Sequence, residues 1–278
     1  MPDRAAPWDA VTDDYETWVI SPFACDVAFS LRSDVRRLLA RWARTPRRRR
    51  VVLDLGCGRG DGLALVAGRV DVAVGVDVSR SMLDLAERWL RARGMVPVRC
   101  GGGAAGLRAA VAAGEPTPRT LLVRGDMHAL AGLRGSADLV VAVNSISPER
   151  PGRAAQMFEQ VAACLKPGGV LMAVLASLDA FQYLTTMAAR LGVALPDAGR
   201  VDARGMFHEG GEQQQFFTPG DIRALCAATA LRVVRLQKVR YPWRLMQRFG
   251  WGYFPGRPRL WDWHLVAQAP GTRVGRRT

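Results

Sequence analysis

Lysine is nearly missing from this chain: of 39 basic residues, two are lysine, Lys166 and Lys238, and 37 are arginine. A phosphate-binding loop of the Gly-Lys-Ser/Thr type needs a lysine directly after its glycines, and neither of these follows one, so that class is excluded. Histidine is scarce as well, with His128, His208 and His264 alone. The five cysteines, Cys25, Cys57, Cys100, Cys164 and Cys226, form no Cys-x-x-Cys pair, and no histidine stands at metal-ligand spacing. The common zinc motifs are thereby excluded, no metal is expected, and a reducing compartment is. No stretch approaches the roughly 20 consecutive apolar residues of a membrane span. Met1-Pro2-Asp3-Arg4 leads into no apolar signal-type core, so the expectation is a cytoplasmic protein without a membrane anchor.

What is present bounds the fold. With 278 residues and 49% apolar content the chain can bury one good core, which implies one domain with additions. The net charge of +14 raises a nucleic-acid partner. Yet a bias to arginine, alanine and glycine is what a GC-rich genome produces without selection, and Arg47 to Arg50, Arg273, Arg276 and Arg277 sit where solvent takes them. Solvated surface, an anionic small substrate and nucleic acid all stay open, and only a clustered basic face would select the last.

The chain is organised around Val51-Val52-Leu53-Asp54-Leu55-Gly56-Cys57-Gly58-Arg59-Gly60. An apolar run, an acid, and glycines at every second position before an apolar helical segment read as a buried parallel strand, a tight turn and a helix. Without side chains at Gly56, Gly58 and Gly60 a ligand can lie against the backbone. The dinucleotide fingerprint Gly-x-Gly-x-x-Gly fails, because its third glycine falls on Asp61 counted from Gly56 and on Leu63 counted from Gly58.

The pattern Asp54-x-Gly56-x-Gly58-x-Gly60 resembles the first motif of class I S-adenosylmethionine-dependent methyltransferases, and four further segments follow in that family's order. Val74-Gly75-Val76-Asp77-Val78-Ser79 is an apolar strand ending in an acid, 23 residues after Asp54, about where a carboxylate grips an adenosine ribose. Leu121-Leu122-Val123-Arg124-Gly125-Asp126-Met127 looks like the segment whose acid meets the adenine amino group and whose next side chain covers the ring. Ala137 to Ser145 looks like the fourth strand, and Leu165-Lys166-Pro167-Gly168-Gly169 like the turn into the fifth. The resemblance covers residues 51 to 177. It implies contacts to S-adenosyl-L-methionine from Asp54, Gly56, Cys57, Gly58, Gly60, Asp77, Val78, Met82, Asp126, Met127 and Asn144, with Cys57 as a small packing residue. It also implies an α/β fold: a doubly wound, mostly parallel seven-stranded sheet with an antiparallel last strand and helices on both faces.

Three parts follow: an N-terminal helical lid at 1–50, the cofactor-binding core at 51–177, and substrate-side helices and final strands at 178–278. In the first, Val35, Leu38, Leu39 and Trp42 have helical spacing, and Tyr15 reads either as a pocket residue or as an aromatic staple. Ser79 or Ser81 is expected to cap a helix, with Asp84 completing a capping box after Ser81. Residues 94 to 118 read as a surface insertion. Thr218-Pro219-Gly220-Asp221 opens a helix leading to strands at Arg232 to Val239 and Trp263 to Ala269. Between those strands, 241–263 carries eight aromatics in 23 residues; a binding lid and a buried flap are equally compatible with it.

Transfer of a methyl group needs a line of nucleophile, carbon and sulfur and the exclusion of water. A base is needed only for a protonated nucleophile. His208, beside Glu209 in a loop over the expected pocket, and Tyr15 are the catalytic candidates, with Glu212 and Asn144 as other pocket residues. The expected acceptor is a small molecule, with specialised metabolites among the candidates. An RNA acceptor is the second reading and a non-catalytic cofactor- or partner-binding protein the third. A monomer and a homodimer are equally compatible.

Overall fold

The computed structural model describes residues 8–9, 15, 20–45, 49–101, 108–109, 111–112, 118–126, 130–150, 152–193, 200–202, 205–209, 212–248 and 259–271. Its strands are β1 (Val51–Leu55), β2 (Val72–Asp77), β3 (Pro97–Cys100), β4 (Arg119–Arg124), β5 (Ala137–Val143), β6 (Leu165–Leu175), β7 (Arg200–Val201), β8 (Met206–Glu209), β9 (Glu212–Gln215), β10 (Arg232–Arg240) and β11 (Trp261–Gln268). Eight of them form one sheet in the order β10-β11-β6-β5-β1-β2-β4-β3. All neighbours are parallel except β11, which runs antiparallel to β6 and to β10.

Seven strands were expected, and the eighth is β3, drawn from the segment read as a surface insertion. It pairs with β4 at the sheet's edge, Val98 beside Leu121, and exposes Val98 and Arg99. Four residues open to solvent on one side carry too little apolar pattern to announce a strand.

The central strands are buried on both faces, which is why they read as unbroken apolar runs. The helices are α1 (Pro22–Cys25), α2 (Ser30–Ala43), α3 (Asp61–Val66), α4 (Arg80–Arg91), α5 (Arg153–Cys164), α6 (Leu178–Leu191), α7 (Pro219–Ala228) and α8 (Trp243–Arg248). Phe158 and Val161 of α5 and Ile222 and Cys226 of α7 pack with Leu53, Leu55, Val140 and Leu171 on one face. Leu31 and Leu38 of α2, Leu63, Leu90 and Leu184 pack with Val52, Ala73, Val141 and Val174 on the other. The second layer is closed by a buried acid: Asp34 of α2 takes Arg235 Nη1 of β10 at 2.8 Å, across 201 positions of sequence.

Helix ends follow local chemistry. Ser79 caps α4, accepting from Met82 N at 3.0 Å. The Ser81–Asp84 box does not form, because Asp84 turns outward to Arg99 at 2.6 Å. Thr218 and Asp221 do form the reciprocal box on α7. The loop expected around His208 and Glu209 is instead the hairpin of β8 and β9, which join β7 in a separate three-stranded sheet. The flanks of the aromatic segment belong to the core: Tyr241, Trp243, Leu245, Leu260 and Trp263 are buried. Residues 249–258 lie outside the described residues.

Candidate functional site

The glycine turn joins β1 to α3 with Gly56, Gly58 and Gly60 all in the left-handed region, at φ 65°, 50° and 88°. Two of its amides close on the neighbouring strand, Gly56 N and Cys57 N donating to Val76 O at 2.8 and 3.1 Å. A third, Gly58 N, donates to Asp77 Oδ2 at 2.9 Å. Side chains are barred at two further points. A Cβ at Gly62 would collide with the Asp54 carboxylate, and one at Gly75 with Leu63 and Cys57. Neither glycine stands out in the sequence; each is required by a contact made across the fold. Cys57 is a buried packing residue, its thiol pushed well above the ordinary range by burial.

Asp77 ends β2 with one carboxylate oxygen on Gly58 N and the other on Ser79 N, at 3.0 Å. Burial raises its pKa, and the amides of Ser79, Gly58 and Val78 oppose the rise. Each oxygen still has a lone pair for a ligand hydroxyl. Asp126 leaves β4 beside it, since Gly125 N donates to Asp77 O at 2.9 Å. Asp54 is buried at the end of β1, and its Oδ2 has no hydrogen-bond partner. Burial first, and then the charges of Asp61 and Asp77, push its pKa up to about 7. Asn144, in the left-handed region at φ 52°, sets Ser145 against Gly56, where a Cβ would collide with it. Ser145 Oγ is also buried without a partner. Buried polar atoms are normally bonded, so two such atoms beside a glycine turn are suited to a polar ligand.

The predicted cofactor residues therefore converge on one mouth at the carboxyl ends of β1, β2, β4 and β5. Val78 is half-buried there and Met82 is fully buried on the inner side of α4. Met127 and His128 lie outside the described residues. The N-terminal segment reaches the same place: Asp9 accepts from Ser79 Oγ and, at 3.2 Å, from Ser81 N. Tyr15 stands over Gly58, whose Cβ would meet its hydroxyl at 2.9 Å. Burial raises the Tyr15 pKa, so it holds its proton. Arg59 lies between rings, its guanidinium carbon 4.2 Å from the Trp89 centroid and 5.2 Å from that of Tyr15. Its Nε pairs with Asp61 at 3.1 Å, and Asp61 takes Ser21 Oγ at 2.7 Å.

His208 belongs to the three-stranded sheet. It lies on β8 opposite Gln213, with Nε2 3.6 Å from Asp202, and is half exposed. Its hairpin meets the segment that follows β5 through Gln215 N, which donates to Pro148 O at 3.1 Å. Phe181 of α6, Phe207 and Phe216 form a ring cluster, with Phe207 and Phe216 stacked at 4.9 Å. The side chains of Glu209 and Glu212 lie outside the described residues. His264 is buried in β11, beside Gln237 at 3.3 Å, and burial lowers its pKa to about 4. Neither histidine has a described contact with the glycine turn.

Comparison with known proteins agrees with this geometry. The methyltransferase-domain family matches residues 29–236. No curated protein matches the chain. Among solved structures, a [4+2]-cyclase is 14% identical, with TM-score 0.59, covering 96% of this chain and 95% of its own. A 1,6-didemethyltoxoflavin-N1-methyltransferase of Burkholderia thailandensis, solved with 1,6-didemethyltoxoflavin and S-adenosylhomocysteine, is 16% identical, with TM-score 0.55 and coverage of 96% and 87%. The magnesium protoporphyrin IX methyltransferase of Synechocystis PCC 6803, solved with S-adenosylmethionine, is 13% identical, with TM-score 0.54 and coverage of 97% and 98%. At such identities these structures share the fold, and a cyclase among them shows that fold alone does not fix the reaction.

Proposed function

Because the chain belongs to the methyltransferase-domain family, we propose that it transfers the methyl group of S-adenosylmethionine to a small-molecule acceptor. The observation that carries this reading is the convergence of the Gly56–Gly60 turn, Asp77 and Asp126 at one end of the sheet, with Asp54 Oδ2 and Ser145 Oγ left unbonded beside the turn. Asp77 would hold the ribose hydroxyls, Asp126 the adenine amino group, and Asp54 the ammonium of the methionine part. The bound sulfonium supplies an electrophilic methyl carbon. The task of the chain is then to align the acceptor and exclude water, and Asp9, Tyr15 and Ser21 bring the N-terminal segment over the mouth for the second purpose.

A small acceptor is supported by what surrounds the core: among the described residues a three-stranded hairpin sheet, α6 and the aromatic flanks of β10 and β11 add a ring-lined wall and no separate module. Arg50 pairs with Asp138, Arg99 with Asp84 and Glu87, and Arg235 with Asp34, and an RNA acceptor stays the second reading. The five free cysteines fit a reducing cytoplasm. The test is calorimetry with S-adenosylhomocysteine, then label transfer from methyl-labelled cofactor into separated small-molecule and RNA fractions of an extract. Label in the small-molecule fraction is expected. Label in RNA alone would replace the acceptor, and failure to bind S-adenosylhomocysteine would refute the whole reading.

A further inference from the structure

The turn from β2 into α4, Asp77-Val78-Ser79, carries the acid assigned to the ribose, and groups from three other parts of the chain hold it. Gly58 N of the glycine turn donates to Asp77 Oδ2 at 2.9 Å. Arg124, the last residue of β4, donates through Nε to Val78 O at 3.2 Å. The third hold comes from Asp9, 70 positions before Ser79 in the chain. Its Oδ1 accepts from Ser79 Oγ and, at 3.2 Å, from Ser81 N.

Ser79 transmits that hold. It is fully buried, and its amide donates to Asp77 Oδ1 at 3.0 Å. Its hydroxyl oxygen accepts from Met82 N at 3.0 Å as the cap of α4. A serine hydroxyl has one proton, and here it is given to Asp9. The bond is charge-assisted: Ser79 foremost, with Ser81 helping, holds the Asp9 carboxyl below the ordinary carboxylate range. A negative charge is also favoured at a helix N-terminus, which is where Ser81 N places it. Asp9 therefore completes from outside the cap that Ser79 begins. The consequence reaches Asp77, whose two oxygens are aimed by the amides of Ser79 and Gly58. Burial raises the Asp77 pKa, and the nearby Asp9 charge adds to the rise, which makes the carboxylate a better acceptor for a hydroxyl.

We propose that Asp9 is a positioning residue for the cofactor ribose: acting through Ser79, it fixes the direction in which Asp77 presents its carboxylate. Asp9 itself need not touch the cofactor. Coupling of this kind is reciprocal, so cofactor on Asp77 tightens Asp9 on Ser79 and seats this part of the N-terminal segment. The proposal rests on the methyl-transfer reading and its assignment of Asp77.

The test is a double-mutant cycle read by calorimetry with S-adenosylhomocysteine. Asp9→Ala should bind it roughly tenfold more weakly than the wild type. Asp9→Asn keeps an oxygen for Ser79 and Ser81 without the charge and should fall between. A merely structural role would weaken binding whatever stands at position 77; in an Asp77→Ala background the Asp9→Ala loss should instead shrink to less than about twofold. Should Asp77→Ala not fold, an analogue of S-adenosylhomocysteine lacking both ribose hydroxyls replaces it, and Asp9→Ala should bind that analogue as the wild type does. Saturating S-adenosylhomocysteine should also slow limited proteolysis beside Asp9 in the wild type more than in Asp77→Ala. Wild-type affinity in Asp9→Ala, an undiminished loss in the Asp77→Ala background or with the analogue, or equal protection of both proteins overturns the proposal and leaves methyl transfer standing. Failure of the wild type to bind S-adenosylhomocysteine overturns both.

Discussion

Replacing Asp54 with asparagine should stabilise the ligand-free protein at neutral pH while weakening its hold on the cofactor. The carboxyl titrates at 3.8 in an unfolded chain and at about 7 in the folded one. Between those values the folded state keeps a proton that the unfolded state has released. Wild-type stability therefore falls as pH rises from about 4 to 7, and stays reduced above that. A rise of about three pKa units corresponds to on the order of 4 kcal/mol. Asp61 and Asp77 share in the effect, so about 2–4 kcal/mol is the working range. Asparagine carries no such charge and keeps an oxygen for the Leu63 amide that Asp54 now uses. Urea unfolding of both proteins at pH 4.5 and pH 8, without ligand, isolates the effect: the variant's advantage should grow with pH by that amount. Calorimetry in two buffers should show proton release on binding S-adenosylhomocysteine near pH 7 for the wild type and much less for the variant. A stability difference that is the same at both pH values would refute the reasoning.

Asp77→Ala should weaken S-adenosylhomocysteine binding by about 1.5–3 kcal/mol through lost charge-assisted hydrogen bonds; unchanged affinity by calorimetry would remove Asp77 from the site. Gly56→Val combines a left-handed backbone with a collision against Ser145, so binding should be abolished in a chain that circular dichroism still finds folded; co-purification with cofactor would contradict it. Arg59→Gln removes the guanidinium from between Trp89 and Tyr15 and breaks its pair with Asp61, a change worth about 2 kcal/mol. Limited proteolysis should then cut the chain near Tyr15 faster than in the wild type, and identical cleavage rates would show that the stack does not hold that segment.

Much of the core was legible because parallel strands buried on both faces are apolar throughout and end in polar residues where the sheet opens. Leu53 through Gly60, Val74 to Asp77 and Ala137 to Asn144 each show that break, and each break lies at the mouth. The α7 cap was equally readable, since Thr218, Pro219 and Asp221 act within one turn. The α4 cap shows the limit of local signals: two serines two positions apart offered the same chemistry, and the inward stripe Met82, Leu83, Ala86 and Leu90 selected Ser79. At the flanks of the aromatic segment Tyr241, Trp243 and Trp263 are buried beside β10 and β11, a placement that neither their spacing nor their number announced.

The sequence by itself determined the glycine turn, the two acids that follow it and the succession of apolar strand segments along the chain, all properties of short segments whose spacing is fixed by strand and helix geometry. Only the tertiary structure decided which distant groups meet: Gly62 against Asp54, Ser145 against Gly56, Asp34 against Arg235 and His264, and Asp262 against Tyr241. Such pairs lie tens to hundreds of positions apart, and their chemistry depends on a burial that no stretch of sequence carries alone.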